Sequence, residues 1–378
     1  MKTQRFALIG CGGIGRTHAD AMALIDEIEL VAVCDVDEDK AREVAALHGD
    51  VPVYTDVERM LDEVELDAVS IATDHKNHVD PALAAIRHGV AVLVEKPLAS
   101  SLDAAHALLE AAQESGVVAG GIFQRRFFPS AQRMHEAIED GRIGRVVAAE
   151  CIAHLGRDKA YFDLADWRGT WRGEGGGVLM NQAIHMVDML LWMVGTPVEV
   201  YGRWNLLKHG DYIDVEDVAS AVVTFESGAL ATIQALTTFE NGMATREPSP
   251  VTAHRAPGFR LAVHGTGGHT VGMLESPEGA QAITDQWTFD GEEASIVEWG
   301  EQEGDRSGFP AFHSDQLRDF AHAVAEGRQP TVSVLDAYRA LEVVKAVYLS
   351  EARHAPVSLP MSAEDRREAD RVSGGEPG

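Results

Sequence analysis

Cysteine is scarce in this chain, with Cys11, Cys34 and Cys151 the only three in 378 residues. Thiols so few and so scattered build neither a disulfide framework nor a cysteine-based zinc site, and a cytoplasmic location is expected. A basic run is missing too. With 32 Lys and Arg against 60 Asp and Glu the formal charge is -28, which repels phosphate backbones and anionic headgroups, so no nucleic acid and no membrane is expected as a partner. The opening "MKTQRFALIGCGGIG" passes from a short apolar stretch straight into glycines; an export signal would need a longer apolar region and a cleavage site. The longest apolar run, "VLMNQAIHMVDMLLWMV" at 178–194, carries Asn181, Gln182, His185 and Asp188. A lipid-spanning helix would have to hide all four, so a helix buried in protein is expected.

What is present is a chain long enough for two domains, 45% hydrophobic. Over its first third, short β-rich runs alternate with helical patterns: "FALIG" at 6–10, "ELVAVC" at 29–34, "DAVSIA" at 67–72 and "VAVLV" at 90–94. That alternation means βαβ units and a parallel sheet. A helix is predicted over 102–115, with Ser100 as its cap. After "VVAGGIFQRRFFP" the rhythm changes: a long helix at 177–194 is followed by strand-like runs ("VEVYGRWNL", "DVASAVVTFES", "GALATIQALTTF", "FRLAVHG") and two helices. The fold class expected is α/β, a doubly wound parallel sheet over residues 1–122 and an α+β domain with a large, mostly antiparallel sheet over 123–360. Residues 361–378, charged and glycine-rich, read as a frayed tail.

"GCGGIG" supplies Gly10, Gly12 and Gly15 in G-x-G-x-x-G spacing, with Gly13 and Ile14 inside it, directly after a strand and before a helix. Such a turn lets a diphosphate meet the helix N-terminus. Asp35 lies 20 residues beyond Gly15 at a strand end, where a carboxylate takes the adenosine ribose hydroxyls. With Asp37 close by and no arginine next to Asp35, a 2′-phosphate would be repelled, so NAD is expected over NADP. The plainer alternative for Asp35 is a surface aspartate that starts a helix.

"EKPLASS" at 95–101 follows the "VAVLV" strand. Ligands of doubly wound sheets lie beyond the carboxyl ends of the strands, so Glu95 and Lys96 are placed near the cofactor while Pro97 turns the chain away. A lysine there, partly desolvated beside a cationic nicotinamide ring, suits proton exchange near neutral pH. The alternative is a solvated strand end that happens to precede a proline.

Together "LIGCGGIGRTHA", "VCD", "IATDHKNH", "VEKPLA", "FQRRF" and "GGGVLMNQAIHMVDMLLWMVG" make the chain similar to the Gfo/Idh/MocA oxidoreductases, a family that includes glucose-fructose oxidoreductase and inositol dehydrogenase. The resemblance implies an N-terminal Rossmann domain, a C-terminal domain whose open sheet forms homodimers or homotetramers, and NAD as cofactor. It makes Lys96 the proton-transfer residue and puts Thr73, His78, Glu95, Gln124 and Arg168 on the cofactor side. Where the family's long helix commonly carries Asp and, four residues on, His, this chain has Asn181 and His185. Such a spacing sets both on one helical face. Asn cannot exchange a proton, so Asn181 is expected to position a hydroxyl and His185 to retain acid-base capacity. The implied activity is hydride transfer between NAD and a secondary alcohol of a sugar, sugar derivative or cyclitol. Alternatives are a redox-neutral glycosidase of the same fold that recycles its NAD, and a cofactor-binding regulator without chemistry.

Other residues weigh less. Trp167, Arg168, Trp171 and Arg172 in "DWRGTWRGEGGG" suit either a stacking wall with charged clamps for a sugar or plain domain packing. Arg126 suits either the cofactor cleft or a surface ion pair, and His154 and Tyr161 either bind substrate hydroxyls or belong to an exposed loop. Sixteen histidines show no H-E-x-x-H and no Cys/His cluster in sequence, so no metal is expected.

Overall fold

Strands buried on both faces read as near-continuous apolar runs, and the first third of the chain folds on that rule. The computed structural model describes residues 2–239, 258–275, 282–292 and 311–374. They form two units, Met1–Gln124 with Glu303–Arg339, and Arg125–Gln302 with Ala340–Gly378. In the first, strands β1 (Gln4–Ile9), β2 (Ile28–Cys34), β3 (Val53–Tyr54), β4 (Ala68–Ile71), β5 (Ala91–Val94) and β6 (Ala119–Gly121) make a parallel sheet in the order β3-β2-β1-β4-β5-β6. Helices α1 (Gly13–Met22), α2 (Glu38–Leu47), α3 (Val57–Glu63), α4 (Val79–Arg87) and α5 (Leu102–Ser115) connect the strands. The α5 cap is Ser101, whose side chain accepts from the Ala104 amide, one residue later than expected, because Ser101 rather than Ser100 takes the extended conformation directly before the first turn.

The helix Ala311–Glu326 completes this unit, so the unit is not one continuous stretch of chain, as a division at residue 122 would have it. The reason is apolar burial: Leu317, Phe320 and Ala321 share a core cluster with Phe6, Met22 and Ile25. Phe320 meets Phe6 edge to face at 6.2 Å. Gln316 adds a polar fastening, accepting from the Phe123 amide at 3.0 Å and donating to the Gly121 carbonyl at 2.7 Å.

The second unit holds α6 (Pro129–Glu139), β7 (Val146–His154), α7 (Lys159–Phe162), α8 (Trp171–Glu174), α9 (Ile184–Val194), β8 (Pro197–Asn205), β9 (Val218–Phe225), β10 (Leu230–Leu236), β11 (Gly258–Gly265), β12 (Thr270–Glu275) and β13 (Ala282–Trp287). After α10, the helix Ala311–Glu326 described above, come α11 (Val334–Arg353), β14 (Val357–Ser358) and α12 (Ala363–Ser373). The sheet runs β13-β12-β11-β7-β10-β9-β8-β14, antiparallel except where β10 meets β7. Helix α9 packs on β7 and β11, against the face where Ala149, Cys151 and Ala153 are buried. That burial accounts for its apolar length without a lipid phase. On the opposite face Tyr201 pairs with Val222 and Val222 with Thr232, and Tyr201, Val222 and Leu230 are 41%, 44% and 52% exposed.

The expected frayed tail is instead helical over Ala363–Ser373; residues 375–378 lie outside the described residues. Charge and glycine suggested disorder, but Ser362 caps the helix by accepting from the Asp365 amide. Arg353 pairs with Asp365 at 2.7 Å and also with Glu368, and the buried Ser373 accepts from Lys345 Nζ at 2.7 Å.

Candidate active site

The glycine loop is built as its spacing requires. Gly10 has φ +94°, and a Cβ on Gly15 would lie 1.9 Å from the Gly10 carbonyl oxygen, so the turn and the press of α1 on it both need glycine. Above Gly12 and Gly13 a Cβ would meet nothing within 4 Å. Helix α1 starts there with no side chain capping its amides, and open space over bare amides is what a diphosphate occupies. Asp35 accepts from the Cys11 amide at 2.6 Å and the Asp37 amide at 2.9 Å. Each carboxylate oxygen keeps a lone pair for a ribose hydroxyl. These residues fit a dinucleotide.

Two strands over, Glu95 and Lys96 follow β5. Glu95 is buried and turned inward: His18 Nε2 lies 3.0 Å from its Oε1, and its Oε2 accepts from the Lys96 amide at 2.9 Å. His18 Nδ1 in turn meets Ser70 Oγ at 2.8 Å, and His313 Nε2 stands 3.9 Å from Glu95 Oε1. Burial alone would raise the Glu95 carboxyl, but the hydrogen bond and charge of His18, with Lys96 and His313, outweigh it and hold the group at about 2. His18, Glu95 and His313 are also close enough to hold a metal ion by distance, although no metal motif marks them in sequence. The hydrogen bonding gives them another use, which is to fix Glu95 and so the backbone of Lys96. Lys96 itself is partly exposed.

His78, expected at the cofactor, is buried, with Nδ1 2.8 Å from the Pro97 carbonyl and Nε2 3.1 Å from the Thr73 carbonyl, and a neutral ring donates to one of the two. Burial lowers its pKa. Its side chain supports the Pro97 turn beside Lys96. The Thr73 hydroxyl donates to the Asn77 carbonyl at 2.9 Å. Gln124 is buried, and its Oε1 takes no hydrogen bond among the described residues.

In the second unit the long helix is not uniformly α. Leu179–Ala183 is a π turn and α9 begins at Ile184, so Asn181 lies in the π turn and His185 in the first α turn, both buried. Wide turns of this kind recur at functional sites. Asn181 Nδ2 donates to Glu174 Oε1 and, at 3.2 Å, to Tyr161 Oη. Glu174 Oε2 accepts from the Gly169 amide at 2.6 Å. Ahead of the π turn, Glu216 accepts from the Gly177 and Leu179 amides at 2.7 and 2.9 Å and from the Tyr348 hydroxyl at 2.8 Å. Burial pushes Glu216 up to about 7 against those three donors. Lys345, which donates to the Gly175 carbonyl at 3.3 Å, is lowered by burial to about 8. Glu174, Glu216, Lys345 and Tyr348 were not singled out in the sequence; the one available signal was Glu174, an acid leading into three glycines and an apolar helix.

Two expectations need correction. Arg126 is neither at a cofactor nor in a surface pair: it makes a bidentate bond to Asp188 at 2.8 and 2.6 Å, with both side chains buried. A guanidinium in a core needs a carboxylate, and α9 supplies one. His154 ends β7 with its side chain on Gln234, 2.9 Å away, and strand alternation sets it on the face opposite Ala153 and therefore opposite α9. Of the two uses open to Trp171 the structure shows packing, with Trp204 at 5.3 Å and Tyr348 at 5.2 Å. Trp167, Arg168 and Tyr161 do come together: Arg168 Nη1 donates to Tyr161 Oη at 2.6 Å and its guanidinium lies over both rings.

Residues 4–122 match the profile of an oxidoreductase family with an NAD-binding Rossmann fold, and residues 131–271 match the GFO/IDH/MocA C-terminal domain. The chain is 31% identical to a 1,5-anhydro-D-fructose reductase of Ensifer adhaerens, over 74% of this chain and 79% of that one. It is 31% identical to a myo-inositol 2-dehydrogenase of Thermotoga maritima, over 61% and 67%. Among solved structures, the WlbA dehydrogenase of Bordetella pertussis, in complex with NADH and UDP-GlcNAcA, superposes with a TM-score of 0.78 at 25% identity, covering 96% of this chain and 100% of that one.

Proposed function

The chain belongs to the GFO/IDH/MocA family of NAD-dependent oxidoreductases, and from that premise we propose that it oxidises or reduces a secondary alcohol of a sugar, sugar derivative or cyclitol, with Lys96 as its acid-base group. The relatives named as a myo-inositol 2-dehydrogenase and a 1,5-anhydro-D-fructose reductase support the substrate class. NAD, when bound, supplies the hydride acceptor or donor. The observation that carries the assignment is the position of Lys96 at the carboxyl end of β5. Only β4 separates β5 from β1 and its glycine loop, a span of about 10 Å across two strand spacings. The buried carboxylate beside it is already committed to His18 and to backbone, so Lys96 is the proton-exchanging group left at that strand end. It takes the hydroxyl proton during oxidation and returns it during reduction. Within the second unit, Asn181 and His185 are assigned to substrate hydroxyls, with the Asn181 amide oriented by Glu174.

The test is a panel of sugars, polyols and aryl glycosides offered with NAD and with NADP, following both NADH and released aglycone. NADH should form with at least one polyol, and kcat/KM should favour NAD by about a hundredfold or more, because a 2′-phosphate would lie against the Asp35 carboxylate. An NADP preference would remove Asp35 from the ribose site. Aglycone release with no absorbance change would replace the dehydrogenase by the redox-neutral glycosidase.

We further propose a cytoplasmic homo-oligomer. Its interface is the open sheet face around Tyr201, Val222 and Leu230, large side chains on a flat, regularly paired surface. Tyr201→Glu with Val222→Glu should lower the mass seen by sedimentation to that of one chain. An unchanged mass would place the interface elsewhere.

A further inference from the structure

Beyond β6, the last strand of the first sheet, a buried amide lacks a partner for its oxygen. Gln124 is 6% exposed, and its Oε1 takes no hydrogen bond among the described residues. The other atom of this unit in that condition, His48 Nε2, stands 3.2 Å from an Asp20 carboxylate oxygen, so Gln124 is the case that needs an explanation. Its position is firmly held. The Ile122 amide donates to the Val94 carbonyl at 2.8 Å and extends the pairing of β6 with β5. Gln316 of α10 then clasps the chain on both sides of that residue, accepting from the Phe123 amide at 3.0 Å and donating to the Gly121 carbonyl at 2.7 Å. A leucine or methionine at 124 would fill the same space and strand no acceptor. Glutamine makes sense there if a donor arrives from outside the chain.

The place of Gln124 in the sheet names that donor. Asp35 ends β2 and the glycine loop follows β1, so the adenosine and diphosphate belong to that side of the order β3-β2-β1-β4-β5-β6. The nicotinamide half of the dinucleotide then extends across β4 toward β5 and β6. Gly121 pairs with Val94, which sets Gln124 and Lys96 just past the ends of neighbouring strands about 5 Å apart. On the nicotinamide ring the ribose is attached at N1, hydride exchanges at C4 opposite it, and the carboxamide stands on C3, next to C4. The carboxamide therefore comes nearest the end of β5, and the ribose lies back toward β1. Its N–H is the donor that Gln124 Oε1 lacks. The Gln124 NH2 can donate back to the carboxamide oxygen in the same plane, the two-bond pairing open to primary amides.

We propose that Gln124 anchors the nicotinamide carboxamide and so fixes the rotation of the ring at the end of β5. The inference rests on NAD as the cofactor and adds a recognition residue for its reactive end. Calorimetry on the full chain tests it, with NAD and with 3-acetylpyridine adenine dinucleotide, whose methyl ketone keeps the carbonyl and has no N–H. The wild type should bind NAD about 10- to 100-fold more tightly than the analogue. Gln124→Leu should weaken NAD by a similar factor, leave the analogue nearly unchanged and so erase the preference. Gln124→Glu, which keeps an acceptor, should retain part of it. Without cofactor, Gln124→Leu should unfold in urea at the wild-type midpoint or above it, because the buried oxygen has no bond within the chain to lose. NAD and the analogue bound equally by the wild type, or a preference that survives Gln124→Leu, overturns the anchor and leaves NAD as the cofactor. Equal weakening of both ligands by Gln124→Leu overturns it as well, since the residue would then serve the ribose or a buried water. A lowered midpoint in the cofactor-free variant, with its preference for NAD intact, makes the role structural and overturns it too. Wild-type protein that binds neither dinucleotide overturns the anchor together with the NAD reading.

Discussion

Replacing Lys96 by methionine is expected to cut turnover by about 10²- to 10⁴-fold while NAD affinity stays nearly the same. The cofactor is assigned to groups that the substitution does not touch, the bare amides at the start of α1 and the Asp35 carboxylate. What is lost is a proton carrier at the end of β5. Successive side chains at a strand end point to opposite sides; Glu95 enters the buried cluster with His18 and His313, and Lys96, partly exposed, leaves it. Lys96→Arg sharpens the test, because arginine keeps the positive charge but does not give up its proton in proteins. If Lys96 acts by proton exchange, the arginine variant is as impaired as the methionine one. If it acts by charge alone, arginine restores most of the rate. Turnover unaltered in Lys96→Met would end the assignment.

The largest effect on stability is expected from Asp188→Ala, about 3–5 kcal/mol by urea unfolding, because the Arg126 guanidinium would be left charged in the core. Both side chains of the pair are at most 4% exposed, and the two bonds of 2.8 and 2.6 Å set a bidentate geometry. The desolvation that makes half a pair so costly also makes the whole pair replaceable. Arg126→Met combined with Asp188→Leu should recover most of the loss. A cost under about 1 kcal/mol for Asp188→Ala would mean that water reaches Arg126.

How far sequence reasoning reached follows from the range of the interactions involved. The βα alternation of the first unit was legible because burial on both sheet faces leaves apolar runs such as that of β5, and the glycine loop because its constraints are local. The short helix α3 was missed, its seven residues holding four charges. The π turn was invisible, since a one-residue widening leaves the apolar pattern intact, and it changed the expected relation of Asn181 to His185. His154 was misjudged because period-two alternation tells which residues share a face, not which face a helix covers. The partners of Arg126 and Glu95 come from distant segments: Asp188 is 62 residues from Arg126, and His18 is 77 from Glu95. No local spacing encodes such meetings. The tail was misread for a related reason, because its order depends on Arg353 and Lys345, which precede it in α11.

The completion of the first unit by α10 also bears on synthesis. When residue 124 emerges from the ribosome, the hollow beside Phe6, Met22 and Ile25 has no Phe320 to fill it, and the Phe123 amide waits for a partner 193 residues downstream. At bacterial or eukaryotic translation speeds that interval lasts roughly 10–40 s. For that time the nascent polypeptide presents an apolar groove to whatever chaperones stand at the exit tunnel.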